Sequence, residues 1–208
     1  MSLADWLRKP ALFFGLGSDS APLPLSETRF IVLDVDVTGV DIRKDKATGI
    51  AILPVEGGRC RIADMNWIPL AQPDGSPAPL NSSWREQYRA MVDSAAANPI
   101  VTYNTRFVRR MIKCSAVLHD LPLPGGRWVD LAAIMGGAVG SEMGEVTSLK
   151  YWQEQMGVAA LGGHSAAGDV FAMAQLLEIA LAYCEDREIV TLDGLIAEQK
   201  ARTWLRGE

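Results

Sequence analysis

One segment limits the folds open to this chain more than any other: Arg29-Phe30-Ile31-Val32-Leu33-Asp34-Val35-Asp36-Val37, closing at Thr38-Gly39. Its apolar, β-branched character is that of a strand covered on both faces, and therefore of the centre of a sheet flanked by helices. Two aspartates at alternate positions of a strand point to the same face. Such a pair repels itself unless it is solvated or shares a cation, and hard oxygen donors of this kind suit Mg²⁺ or Mn²⁺. Taken alone, an Asp-x-Asp near a strand end is more often a solvated or turn-capping pair than a metal site.

The segments around this strand extend the same picture. Gly49–Val55 and Arg59–Trp67 read as strands joined at Glu56-Gly57-Gly58, a hairpin turn. A loop rich in Pro, Gly and Ser runs from Gln72 to Ser83. Ser83 is then expected to cap a helix to Ala97, with Glu86 completing a capping box. Asn98-Pro99 stops that helix, and Ile100–Tyr103 is a short strand. A helix from Thr105 to Leu118 follows, with Phe107, Met111, Cys114 and Leu118 as its apolar stripe. Arg127–Val129 is a fifth strand, Asp130–Met135 a helix start, and further helices fall at Ser148–Met156, Ala166–Cys184 and Leu192–Leu205. A hairpin followed by alternating helices and strands predicts an α/β fold with a five-stranded mixed sheet, helices on both faces and Asp34 on the central strand. The expected division is an arm at 1–28, a domain at 29–185 and a helical tail at 186–208.

Composition narrows the function. With a net charge of −5 the molecule as a whole does not attract phosphate, so nucleic-acid binding has to come from a local basic patch or bound cations. The three cysteines, Cys60, Cys114 and Cys184, are far apart and form no Cys-x-x-Cys pair, which suits a reduced cytoplasmic protein better than a disulfide framework or a zinc site. No apolar run in the sequence reaches the ~18 residues of a membrane span, so no membrane partner is expected. Met1–Leu16 mixes Trp6, Leu12, Phe13 and Phe14 with Asp5, Arg8, Lys9 and Pro10, and reads as an arm packed on the domain rather than a signal peptide.

A second constellation sits far along the chain. His164-Ser165-Ala166-Ala167-Gly168-Asp169 puts a histidine just before a helix and a carboxylate in its first turn, ahead of the apolar run from Val170 to Ala180. Asp169 alone reads as an N-terminal charge favoured by the helix dipole, and His164 alone as a loop histidine. Beside a carboxylate pair on a central strand, the two read as a metal site with a general base.

Three ordered motifs then carry a resemblance. Phe30 to Gly39 resembles the first motif of the DnaQ-like (DEDDh) 3′–5′ exonucleases, the group that includes RNase T and the proofreading subunit of DNA polymerase III. That motif is a strand ending in Asp-x-Glu-Thr-Thr-Gly. Ile100 to Val108 resembles the second, in which Asn and Phe precede a catalytic Asp. His164 to Asp169 matches the third, His-x-Ala-x-x-Asp, and Trp128–Leu131 and Ser148-Leu149 also fall where the family has similar residues. The similarity covers Arg29 to Tyr183. It implies an RNase H-like fold and two-metal hydrolysis of the terminal phosphodiester at single-stranded 3′ ends. By the same resemblance Asp34, Asp36 and Asp169 hold a first Mg²⁺ or Mn²⁺, Asp34 bridges to a second, and His164 is the base. Thr38, Gly39, Asn104 and Phe107 border the terminal nucleotide. Possible protein partners are a second copy of the chain or a polymerase.

The sequence also departs from the family. Asp36 stands where the family has Glu, one methylene shorter, and no His-Gly-Ile type segment lies between Leu70 and Ala97. Val108 replaces the second-motif Asp, which removes a ligand from the second metal. Val108 is expected on a flank of its helix's apolar stripe, so that a carboxylate there would escape the core. Arg106, Arg109, Arg110 and Lys113 recur at i, i+3, i+4 and i+7 as a basic stripe, either a solvated face or a phosphate track. His119 falls in a loop with no role. Weakened exonuclease, nucleic-acid binder without chemistry, and interaction module on the same fold are the three functions left open.

Overall fold

In a computed structural model, residues 23–71, 82–138, 148–159, 161–162 and 165–205 are described. The arm at Met1–Leu16, the loop at 72–81 and His164 lie outside the described residues. The sheet begins with β1 (Arg29–Val37) and β2 (Ala47–Glu56), then β3 (Arg59–Cys60) and β4 (Asn66–Pro69). Helix α1 (Ser82–Ala97), β5 (Ile100–Thr102), α2 (Thr105–His119) and β6 (Trp128–Asp130) follow. The chain continues through α3 (Leu131–Ala138), α4 (Leu149–Met156), α5 (Ala166–Glu185) and α6 (Leu192–Leu205).

The sheet has six strands in the order β3-β2-β1-β5-β6, with β4 also pairing β2. β1 lies antiparallel to β2 and parallel to β5, so the strand with Asp34 is central and the sheet mixed, as expected. The strand count exceeds the expected five because Arg59–Trp67 is not one strand. A 3₁₀ turn at Ile62–Asp64 divides it, and only the later piece, Asn66–Pro69, runs beside the far part of β2. The hairpin turn is at Gly57 and Gly58, with φ of 60° and 65°, the left-handed pair that a two-residue turn needs.

Alternation along β1 sorts its side chains into two layers. Phe30 and Val32 join Ala51, Leu53 and Val55 under α5, α3 and α4, and Leu195 of α6 is buried in that same layer. Ile31, Leu33 and Val35 join Ile50, Ile52 and Ile68 under α1 and α2. Helix α5, twenty residues long, is apolar enough by composition to cross a membrane, but here it packs on β1 and β2 and buries Val170, Met173, Leu176 and Leu177.

Helix boundaries at α5 and α6 match expectation closely, and Ser148 caps α4 by accepting from the Tyr151 N–H at 3.1 Å. Three local expectations fail. Helix α1 already begins at Ser82, which makes Ser83 a first-turn residue rather than its cap. The buried stripe of α2 is Val108, Met111, Ile112, Ser115, Ala116 and His119, while Leu118 is exposed. That face is rotated from the expected one because α2 packs against β1, β2, β5 and β6 together, which the spacing of large apolar residues alone does not report. His119 accordingly ends a helix rather than sitting in a loop. It is buried, meets the Trp84 ring edge-to-face at 5.4 Å, and burial with the nearby Arg85 charge holds its pKa below the usual histidine value.

Candidate functional site

Asp34 and Asp36 are on the same face of β1 as Phe30 and Val32, the face covered by α5. Asp34 stands opposite Ala51 and Asp36 opposite Gly49 in the β1–β2 register, which then shifts by a bulge between Asp36 and Val37. Both partners are small, and bulges commonly occur where a strand end must aim functional groups. Helix α5 starts directly over this point. The Ala166 N–H donates to Asp36 Oδ1 at 2.8 Å, so one of the helix's four unpaired N–H groups is met by the strand carboxylate. Ser165 caps the same helix by accepting from the Gly168 N–H at 3.2 Å. Gly168 is required at that turn, because a Cβ there would lie 2.2 Å from the Leu161 carbonyl oxygen. Asp169 follows in the first turn, its N–H bonded to the Ser165 carbonyl at 2.9 Å.

Three carboxylates from residues 34, 36 and 169 are thus brought to one end of the sheet, and their proximity is visible in Asp34. Its pKa rises from 3.8 to about 7. Burial is the main cause, partly offset by a hydrogen bond from the Val35 backbone, and the Asp169 and Asp36 charges push it further. The positive end of α5 offsets part of this repulsion.

The second oxygen of Asp36 is committed as well. Trp67 Nε1 donates to Asp36 Oδ2 at 2.7 Å. The indole reaches across β2 from β4 and lies on Gly49, where a Cβ would be 2.4 Å from the ring. Asp36 therefore serves both as a lock between β1 and α5 and as the acceptor for Trp67. Among the described residues no three His, Cys, Asp or Glu side chains form a group able to hold a metal ion. Trp67 was not foreseen from the sequence. Gly49 inside an otherwise β-branched run was the available signal, since an isolated strand glycine often marks close approach by another group.

The other expected positions are placed as follows. Val108, in the position of the second-motif carboxylate, is 1% exposed and belongs to the layer of Ile31, Leu33 and Val35 on the opposite side of the sheet from α5. It is not on an open flank. Asn104, in the left-handed region at φ 60°, caps α2 by accepting from the Phe107 N–H at 3.3 Å. The Thr38 N–H donates to the Lys46 carbonyl at 3.0 Å, and the Thr38 hydroxyl bonds Asp45 Oδ1 at 3.1 Å. Gly39 admits that carboxylate, which a Cβ would meet at 2.5 Å. The β1–β2 loop is thus closed by its own polar groups. Asp130, in the stretch Trp128–Leu131, accepts from the Thr105 N–H at 2.8 Å and the Ala132 N–H at 3.0 Å, and so joins the starts of α2 and α3.

No family model and no curated protein matches this chain. Solved structures do. E. coli exonuclease I in complex with a dT13 oligonucleotide superposes with a TM-score of 0.62 at 11% identity, over 77% of this chain and 42% of that one. The zinc-bound form of the E. coli exonuclease I–ssDNA complex gives 0.57 at 12%, over 73% and 40%. A product-bound structure of exonuclease I gives 0.56 at 12%, over 77% and 46%. This chain spans less than half the length of those chains, and at such identities the likeness is one of fold. The α/β architecture derived from β1 outward is therefore the RNase H-like fold found in exonucleases.

Proposed function

We propose that this chain binds the 3′ end of single-stranded nucleic acid at the Asp34–Asp36–Asp169 end of its sheet, and that it hydrolyses the terminal phosphodiester only slowly. What supports this reading is that α5 starts over the end of β1 with its Ala166 N–H bonded to Asp36 and Asp169 in its first turn, near Asp34, while Val108 is buried where the family has a further carboxylate. The exonuclease I neighbours solved with oligonucleotides give the same fold a precedent for single-stranded DNA.

Asp34 and Asp169 hold one Mg²⁺ or Mn²⁺ in this proposal, and Asp36 keeps α5 seated on β1 so that the two stay within reach of one ion. A bound divalent cation supplies charge stabilisation at the phosphate. Without it, the Asp34 pKa of about 7 leaves its carboxyl partly protonated at neutral pH and lessens the negative charge facing the terminal phosphate. His164, by motif, accepts the proton of the attacking water. Thr38-Gly39, Asn104 and Phe107 shape the terminus: the loop and the cap are already closed on themselves, so they present a preformed wall. A second metal has no protein ligand at Val108, and loss of such support accounts for slow chemistry.

Labelled single-stranded DNA and RNA assayed in Mg²⁺ and in Mn²⁺ test the reading. Binding at the 3′ end with slow release of mononucleotides, abolished by Asp34→Ala, is the expected result. Absence of binding to either polymer would refute the proposal, and fast turnover in Mg²⁺ would refute the weakened chemistry.

Trp67 bears on the same site. Trp67→Phe keeps the ring over Gly49 and removes the N–H that occupies Asp36 Oδ2. A hydrogen bond to a charged group contributes about 1.5–3 kcal/mol where it is shielded, and the partial exposure of Trp67 reduces that. Mn²⁺ affinity measured by calorimetry should then rise about 3- to 10-fold. An unchanged or weaker affinity would mean that the indole positions Asp36 for the ion instead of competing with it.

A further inference from the structure

The outer face of α2 forms one wall of a cleft of about 670 Å³. Arg106, Arg109, Arg110 and Lys113 line it from the helix, and Leu123, Pro124 and Trp128 line it from the segment that leads into β6. The four cations are exposed, and among the described residues none of them forms an ion pair. On a chain with a net charge of −5, such a gathering is a local reversal of sign. Like charges at i, i+3, i+4 and i+7 repel one another along a helix and gain nothing from their own chain.

The cleft is not purely electrostatic. The Arg109 guanidinium lies over the Trp128 ring at 5.3 Å from its centroid, which holds one cation in place at the wall. Apart from Asn104 the rest of the wall is apolar, with Phe107 at the end nearest the N-terminus of α2 and Ile42 from the β1–β2 loop. Regularly spaced cations beside flat apolar surface match a polymer that alternates anionic phosphate with planar base. The volume is in the usual range for ligand clefts, about 300–1,000 Å³, and suits a nucleotide or two rather than a duplex.

Position connects the cleft to the proposed terminus. β5 runs parallel to β1 with Ile100 opposite Ile31 and Val101 opposite Val32. The start of α2 therefore emerges beside the end of β1 that carries Asp34 and Asp36. Asn104 and Phe107 belong to both places, and Ile42 comes from the loop that begins with Thr38 and Gly39.

We propose that this cleft carries the nucleotides immediately upstream of the 3′ end, with phosphates on Arg106, Arg110 and Lys113 and a base against the Arg109–Trp128 wall. The inference rests on the 3′-end reading above, and its test separates the two. Binding of thymidine 5′-monophosphate, which fills only the terminal site, is compared with that of a dT15 strand, by calorimetry and by anisotropy at several salt concentrations. The triple variant Arg106→Ala, Arg110→Ala, Lys113→Ala changes only exposed side chains, so its thermal midpoint serves as the folding control.

The variant is expected to bind dT15 at least 10-fold more weakly, with the slope of log affinity against log salt lowered by about 2, from roughly 0.7 for each lost phosphate contact on a single strand. Mononucleotide affinity should not change. Equal loss for dT15 and the mononucleotide, or no loss for dT15, would overturn the cleft while leaving 3′-end binding in place. A wild-type chain that binds dT15 through these residues but not the mononucleotide would keep the cleft and remove the terminal site. Polyglutamate competing as well as dT15 at equal charge would overturn the assignment to nucleic acid and point to an acidic polypeptide.

Discussion

Asp34→Asn should melt about 5–10 °C higher than wild type at pH 8 in the absence of divalent cations. The cause is the carboxyl pKa, raised from 3.8 to about 7 by burial and by the neighbouring Asp169 and Asp36 charges. Below about pH 4 the group is neutral in folded and unfolded chains alike, and full stability is present. Between pH 4 and 7 the unfolded chain releases a proton that the folded chain retains, so stability falls as pH rises. Above pH 7 the folded carboxyl is ionised too, and the loss has reached its full extent of about 2–4 kcal/mol. For a chain of this size each kcal/mol corresponds to about 2–4 °C. Asparagine has the same shape without the charge, so its advantage should grow from pH 4 to pH 7 and then stay level.

Millimolar Mn²⁺ is the second arm of that experiment. The proposed cation between Asp34 and Asp169 would bind only the folded chain and stabilise it by mass action. Wild type at pH 8 should gain several degrees and Asp34→Asn should gain none, which closes the gap from the wild-type side. A pH-independent difference between the two proteins would contradict the raised pKa. A Mn²⁺ effect of equal size in both would place the ion elsewhere.

Val108→Asp should unfold the protein at a markedly lower temperature rather than restore hydrolysis. Val108 is 1% exposed, in the layer with Ile31, Leu33, Val35 and Met111. An aspartate there either ionises without a partner or is protonated at the expense of stability, and an uncompensated buried charge costs about 3–5 kcal/mol. The midpoint should fall by about 10 °C or more and fall further as pH rises above 5. Val108→Thr, close in shape, isolates the polar contribution and should cost about 1–3 kcal/mol. Pairing Val108→Asp with Asp36→Glu should give no gain in Mg²⁺-dependent cleavage. A double variant that melts within a degree or two of wild type and cleaves faster would show that α2 can turn this position towards the carboxylates.

Much of the frame was legible from local pattern. The run from Phe30 to Leu33 has no amphipathic side, and such a strand is stable only between two covered faces, so its central place followed before any coordinates. Period-two geometry put Asp34 and Asp36 on one face. The small residues between His164 and the apolar run of α5 located the start of that helix and hence Asp169. These features depend on residues within a few positions of one another, which is the range over which backbone geometry alone sets direction.

What surrounds the carboxylates was decided by pairing across the sheet. The Trp67–Asp36 hydrogen bond joins residues from two strands that never touch each other, through a third, and it exists because β4 pairs with β2 in the register that sets Trp67 beside the open position of Gly49. No local pattern specifies that register. The same holds for Val108: large apolar residues on α2 suggested a stripe through Phe107 and Leu118, but four strands contact the helix at once and select the face through Val108 and Met111 instead. A helix is indifferent to rotation about its own axis until something packs against it, so composition and spacing determined that α2 forms, and only tertiary packing decided which of its side chains are buried and which four cations face the cleft.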